Sequence, residues 1–180
     1  MQLSDQNIIQ GCQKGDRQAQ QQLYQKYKAM LFGVCLRYAR SRAEAEDYLQ
    51  EGFIRIYRDL YQYRPTKALG AWLRRVMVNS CLRQIQKHKN IFQEVDWNQI
   101  SVSYEMEYRE ETDDRAKYLI AMIQQMPAGY RAVFNMYVIE GYTHAEIAEY
   151  LGISINTSKS QLSRAKVLLK KLFEKNMNAC

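Results

Sequence analysis

The sequence predicts an all-α fold of two small helical domains joined by an acidic linker. Three observations carry this. Apolar residues recur every three to four positions along most of the chain, as in amphipathic helices, and no segment alternates as a half-buried strand does. Only two of the 180 residues are proline, Pro65 and Pro127, so long helices are permitted. The net charge of +7 is also unevenly divided. Residues 1–90 carry 16 basic and 7 acidic side chains, residues 91–114 carry 1 and 8, and residues 115–180 carry 9 and 4, giving nets of +9, −7 and +5. Two basic blocks therefore flank an acidic one, and a basic surface suits a polyanionic partner.

The first helix carries Leu23, Tyr27, Met30, Leu31, Val34 and Tyr38 on one face. A second stripe follows in Leu49, Phe53, Ile56 and Leu60, and the preceding Glu44, Glu46 and Asp47 suit the positive end of a helix dipole. After a break over 61–66, Leu69, Leu73, Val76, Met77 and Cys81 make a third stripe that runs into the basic end Gln86-Lys87-His88-Lys89. Residues 91–114 lose the periodicity and gather carboxylates, which predicts a linker between domains 1–90 and 115–180. Beyond it Ala116, Leu119, Ile120 and Ile123 form a stripe ending at Met126-Pro127, and a further helix over 130–139 stops at Glu140-Gly141.

Thr143-His144-Ala145-Glu146 has the capping-box pattern, so a helix starts there. It turns Ile147, Ala148 and Leu151 inward and ends at Gly152, which can take the left-handed conformation. Ile153 and Ile155 are expected to anchor the turn. A second helix, from about 156 to 173, buries Leu162, Ala165, Leu168, Leu169 and Leu172 and presents Asn156, Lys159, Ser160, Ser163, Arg164 and Lys166 on the other side. A glycine corner followed by a donor-rich helix meets the needs of a helix-turn-helix that reads the major groove. Helical hairpins of this kind also serve as plain packing units.

On the third helix Arg75, Asn79, Arg83 and Gln86 share a narrow sector with Trp72 at its edge, near Tyr61, Tyr63 and Arg64. Cations beside an aromatic ring suit single-stranded DNA, whose unstacked bases need a π-surface and whose phosphates need charge. A core-edge tryptophan beside a solvated basic face is the plainer alternative. Cys12, Cys35, Cys81 and Cys180 form no CxxC pair, and only His88 and His144 could complete a metal set, so neither a metal nor another cofactor is expected. With no signal peptide and no run of about 20 apolar residues, the expectation is a cytoplasmic protein with reduced, buried thiols.

With both blocks in view the chain resembles the bacterial RNA polymerase sigma factors, in particular the short extracytoplasmic-function (ECF) group. EAEDYLQEGFIRIYRDL is similar to their region 2.1 to 2.2, AWLRRVMVNSCLRQIQKHK to region 2.3 to 2.4, and MPAGYRAVFNMYVIEGYTHAEIAEYLGISINTSKSQLSRAKVLLKKL to region 4. The resemblance implies a region 2 helical bundle in 1–90, for polymerase binding and recognition and melting of the −10 element. It implies a region 4 helix-turn-helix in 115–180 for the −35 element. Asp47, Gln50, Glu51 and Phe53 would face the clamp helices of the polymerase β′ subunit, with Phe53 the apolar anchor. Tyr63, Arg64, Lys67, Trp72, Arg75, Asn79 and Arg83 would meet the −10 element; Asn156, Lys159, Ser160, Ser163 and Arg164 would read the −35 element. The partners implied are core polymerase, at its β′ clamp helices and β flap, promoter DNA, and a membrane-linked anti-sigma factor. Such a protein is a non-catalytic subunit, cytoplasmic and nucleoid-associated when in holoenzyme.

The chain also departs from the family. Many members have Asp where it has Arg83 and Arg where it has Gln86, so a −10 sequence preference does not transfer. It has Ala71-Trp72 where primary sigma factors carry a tryptophan pair, and Ser158 where an apolar residue commonly precedes the Lys-Ser pair. A stand-alone helix-turn-helix regulator is the main rival and would bind duplex DNA tightly without polymerase. An enzyme acting on nucleic acid would need a carboxylate cluster or a nucleophile-base pair. Glu44, Glu46 and Asp47 are better explained as helix-start residues.

Overall fold

Helix-start chemistry recurs along the chain: short polar side chains accept from the otherwise unpaired amides of the first turn. A computed structural model describes residues 4–64, 68–87 and 114–177. Most of the expected linker, Lys67, His88 and Cys180 lie outside them. The described residues separate into two compact units, Met1–Gln84 and Ile85–Cys180, with the cut in the last turn of the fourth helix. Every regular element among them is helical.

In the first unit α1 (Asp5–Gln13) is capped by Ser4, and α2 (Arg17–Tyr38) by Asp16, whose carboxylate accepts from the Gln18 amide at 2.8 Å. Nothing in the polar start of the chain predicts α1. Its apolar side is only Ile8 and Cys12, both buried, and Gly11 lets it lie close to Ala19 of α2. α3 (Arg42–Asp59) is capped by Ser41, and Glu44 reaches back to the Arg40 amide. The expected stripe Leu49, Phe53, Ile56 and Leu60 is buried, Leu60 starting a 3₁₀ turn that ends at Gln62. On α2 the stripe holds for Leu23, Leu31, Val34 and Tyr38, whereas Met30 is 43% exposed.

α4 (Leu69–Gln86) buries Leu69, Leu73, Met77, Val78, Cys81 and Leu82, while Val76 is half-buried. Its neighbours are fixed by close approaches. Met77 lies against Gly52 of α3, where a β-carbon would collide with its thioether, and the Cys81 and Cys35 sulfurs are 4.0 Å apart across α4 and α2. Cys12, Cys35 and Cys81 are free, buried thiols, as expected.

In the second unit α5 (Asp114–Gln124) buries Met122 and Ile123, followed by Met126; Leu119 is 44% exposed and Ala116 is exposed, so the buried stripe is turned from the one expected. The end of the helix is held by Arg131. Buried on α6 (Ala128–Phe134), it donates to the Gln124 and Met126 carbonyls at 2.9 and 3.0 Å, fixing the end of α5. The helix expected to continue to 139 instead widens into a π-helical turn over Asn135–Ile139, closed by Glu140 N donating to Asn135 O. α7 (His144–Leu151) and α8 (Ile155–Met177) then form a hairpin whose core is Ile147, Ala148, Leu151, Leu162, Ala165, Leu168 and Leu172.

Candidate nucleic-acid interface

Each candidate surface lies on the open side of a helix whose opposite side is packed. On α3 an exposed strip follows the i, i+3, i+4, i+7 rule. Asp47, Gln50 and Glu51 are exposed on it, and so is Ile54, at 61%. Phe53 is not. It is 4% exposed and sits among Tyr24 and Tyr57, with ring centroids at 4.7 and 5.9 Å, so it belongs to the core and cannot be a surface anchor. The sequence expectation for Phe53 is corrected on that ground. Ile54 is the apolar residue on the open strip; the stripe rule assigned 53 to the core and therefore left 54 outside.

On α4 the sector opposite the core carries Trp72, Arg75, Asn79, Arg83 and Gln86. Arg75, Arg83 and Gln86 are exposed, and Trp72 and Asn79 are half-buried. Tyr63, half-buried after the 3₁₀ turn, packs its ring edge-on against Trp72 at 5.5 Å and 67°, while Arg64 is exposed beside it. The aromatic pair and the arginine row are thus one continuous surface. Tyr61, two residues earlier, is 66% exposed. Lys67 falls outside the described residues.

The helix-turn-helix is built as its residues require. Thr143 Oγ1 accepts from Glu146 N at 3.2 Å and Glu146 Oε2 accepts from Thr143 N at 2.8 Å, the reciprocal capping box. These bonds to the charged form hold the Glu146 carboxyl below the usual carboxylate range. Gly152 is left-handed, at φ 66° and ψ 35°, and both its amide and that of Ile153 donate to Ala148 O. Ile155 is 46% exposed, so it does not anchor the corner as expected. Ser154 holds the start of α8 instead, its hydroxyl accepting from Thr157 N at 2.9 Å.

Asn156, Lys159, Ser160, Ser163 and Lys166 are exposed on α8, and Arg164 is half-buried. Ser160 donates to Thr157 O. Beneath them Ser158 is fully buried, its Oγ 2.9 Å from His144 Nδ1, so the two are hydrogen-bonding partners. The His144 ring is stacked on Tyr137 at 4.5 Å and 24°. Partial burial, then the nearby Lys159 and Lys166, keep its pKa below the ordinary histidine value.

Among the described residues no group of three His, Cys, Asp or Glu side chains could hold a metal ion, and no helix is long and apolar enough to cross a membrane. Comparison with known proteins assigns both units. Residues 23–91 match the family Sigma-70 region 2, and residues 116–169 match Sigma-70, region 4. The RNA polymerase sigma-H factor of Pseudomonas aeruginosa is 25% identical, covering 96% of this chain and 95% of its own. The ECF RNA polymerase sigma factor SigM of Mycobacterium tuberculosis is 26% identical over 94% of this chain and 84% of its own. A solved structure of the sigma factor RpoE in complex with the anti-sigma factor NepR from Bartonella quintana covers 86% of this chain and 96% of its own, at TM-score 0.47 and 20% identity. With both family regions present in order and relatives of one kind along nearly its whole length, the chain belongs to the ECF group of the sigma-70 family of RNA polymerase sigma factors.

Proposed function

We propose that this sigma factor binds core RNA polymerase through the open strip of α3, captures the −10 element on α4 and reads the −35 element with α8. On α3, Asp47, Gln50 and Glu51 would surround Ile54, an apolar anchor within a polar rim. On α4, the Trp72 and Tyr63 pair offers a stacking surface for an unpaired base, and Arg64, Arg75 and Arg83 meet the phosphates around it, with Lys67 and Asn79 completing the set. Stacking is worth about 1–3 kcal/mol per base, against roughly 1.4 kcal/mol per stacking step lost on opening the duplex. Capture therefore favours opening. On α8, Asn156 and Lys159 have the side chains that pair with adenine and guanine edges in the major groove, and Ser160, Ser163 and Arg164 supply further donors.

The observation that carries this reading is that α4 and α8 each expose a side rich in cations and amides opposite a packed one, and that they lie in separate units matched to separate family regions. Two modest sites on one chain gain affinity when polymerase sets their spacing, so neither should suffice alone. Polymerase performs the chemistry and the chain supplies no catalytic group. Its place is the cytoplasm, and an anti-sigma factor enters this reading through the family resemblance alone.

The test is run-off transcription with reconstituted holoenzyme and two charge reversals. Lys159→Glu is expected to impair initiation only where a −35 element is required. Arg75→Glu is expected to impair it at every promoter, with core affinity unchanged in both. Tight specific binding of duplex DNA by the free chain, with no stimulation of polymerase, would overturn the reading in favour of a stand-alone regulator.

A further inference from the structure

The first two turns of α8 carry Asn156, Lys159 and Ser160, yet they have no buried apolar side chain. Ile155 is 46% exposed, and the buried positions are Ser158 and Gln161, at 0% and 2%; the first buried apolar residue is Leu162, at 5%. These turns therefore add no apolar packing of their own to that of Leu162 and Ala165 further along the helix. Ser154 caps the helix onto itself, which starts it without aiming it. A directional tie to another helix is the 2.9 Å contact between Ser158 Oγ and His144 Nδ1.

His144 is itself held twice. Its backbone opens α7 directly after the Thr143 capping box, and its ring lies on Tyr137 at 4.5 Å and 24°. Tyr137 stands in the π-helical turn, whose extra residue shifts the side chains that follow; Asn135 Nδ2 donates to Arg131 O at 2.8 Å within the same segment. Tyr137, His144 and Ser158 thus run from the π-helical turn through α7 to the residue preceding Lys159.

We infer that His144 is a positioning residue for DNA recognition: by holding Ser158 it fixes the angle at which the first turns of α8 enter the −35 major groove. This rests on the −35 reading of α8 proposed above. A polar tie in place of an apolar contact makes the orientation specific, because a hydrogen bond of this kind has one good geometry whereas apolar side chains slide. Loosening it costs discrimination between bases before it costs binding to phosphates, since phosphate contacts tolerate a tilt that bidentate base contacts do not.

The test uses the full chain in reconstituted holoenzyme and reads the ratio of initiation from a promoter with its −35 element intact to one with that element replaced. His144→Phe keeps the ring on Tyr137 and loses the hydrogen bond; Ser158→Ala removes the other partner; His144→Asn keeps a polar atom near the Nδ1 position. His144→Phe and Ser158→Ala are each expected to lower the ratio about three- to tenfold, as for the loss of one hydrogen bond, with core affinity unchanged. His144→Asn should restore it to within about twofold, and the double variant should be no worse than either single one. A merely structural role would lower melting temperature without moving this ratio and would not be rescued by asparagine. An unchanged ratio in folded His144→Phe and Ser158→Ala, or losses that add in the double variant, overturns the inference. If His144→Phe does not fold, Ser158→Ala decides alone. Lys159→Glu keeps the two proposals apart: if it too leaves the ratio unchanged, the −35 reading of α8 has failed, whereas a loss confined to Lys159→Glu overturns the positioning role only.

Discussion

Phe53 and Ile54 are neighbours on one helix, yet the structure gives them opposite consequences. Phe53 is 4% exposed between two tyrosine rings. Its truncation to alanine leaves a cavity and costs about 3–5 kcal/mol, a large part of the roughly 5–15 kcal/mol that holds a domain folded. At about 4–8 °C per kcal/mol for a unit of this size, the melting temperature of the first unit should fall by on the order of 12 °C or more. Ile54 is 61% exposed. Alanine there removes little buried area and improves helix propensity, so stability should change by less than about 1 kcal/mol. If polymerase covers the exposed part of Ile54, the lost burial is worth about 1–2 kcal/mol, a five- to thirtyfold weaker complex. Circular dichroism melts of the free chain, and competition for core polymerase against a labelled sigma factor, separate the two effects. A stable Phe53→Ala chain that has lost polymerase affinity, together with an Ile54→Ala chain that has kept it, would refute the assignment.

Other consequences are equally direct. Gly52→Ala drives a methyl group into the fully buried Met77 side chain, and should cost about 1–3 kcal/mol despite the better helix propensity of alanine, read as a lower melting temperature; no change would mean that Met77 has room to move. Gly152→Ala meets no neighbouring atom, so its cost is that of the left-handed backbone alone, roughly 1–2 kcal/mol in the second unit. The depressed Glu146 carboxyl contributes stability that is present above its unfolded pKa and lost as pH falls through the lower folded value. Acid melts of Glu146→Gln should therefore fall less steeply with pH than those of the parent chain, and parallel curves would contradict the capping account. Burial pushes the Cys12 thiol up to about 11 and the Cys81 thiol well above its ordinary value. Alkylation at pH 8 should spare Cys12, Cys35 and Cys81 until denaturant is added.

The stripes on α3 and α4 were legible because their apolar residues are numerous and the surrounding ones charged, and the Thr143 box and Gly152 corner because each is a local chemical rule. What escaped depended on partners distant in sequence. α1 has two buried apolar residues and becomes a helix by lying on α2, so no stripe announced it. On α5 the exposure of Ala116 and Leu119 departs from the apolar spacing, and the helix ends on a partner seven residues beyond Gln124, the buried Arg131. Phe53 was assigned to the core by periodicity and to polymerase by resemblance; burial supports the first. Ser158 stands where relatives commonly have an apolar residue, and only the position of His144, fourteen residues away, gives it a specific partner.

If α4 and α8, in separate units, read two DNA elements for polymerase, promoter choice must depend on both. The most direct measurement is run-off transcription by reconstituted holoenzyme on a promoter library randomised at both elements, with the transcribed templates sequenced. Two short enriched elements at one fixed spacing are expected, with Lys159→Glu erasing the upstream one alone. Enrichment no different from that of core polymerase without the chain would contradict this reading.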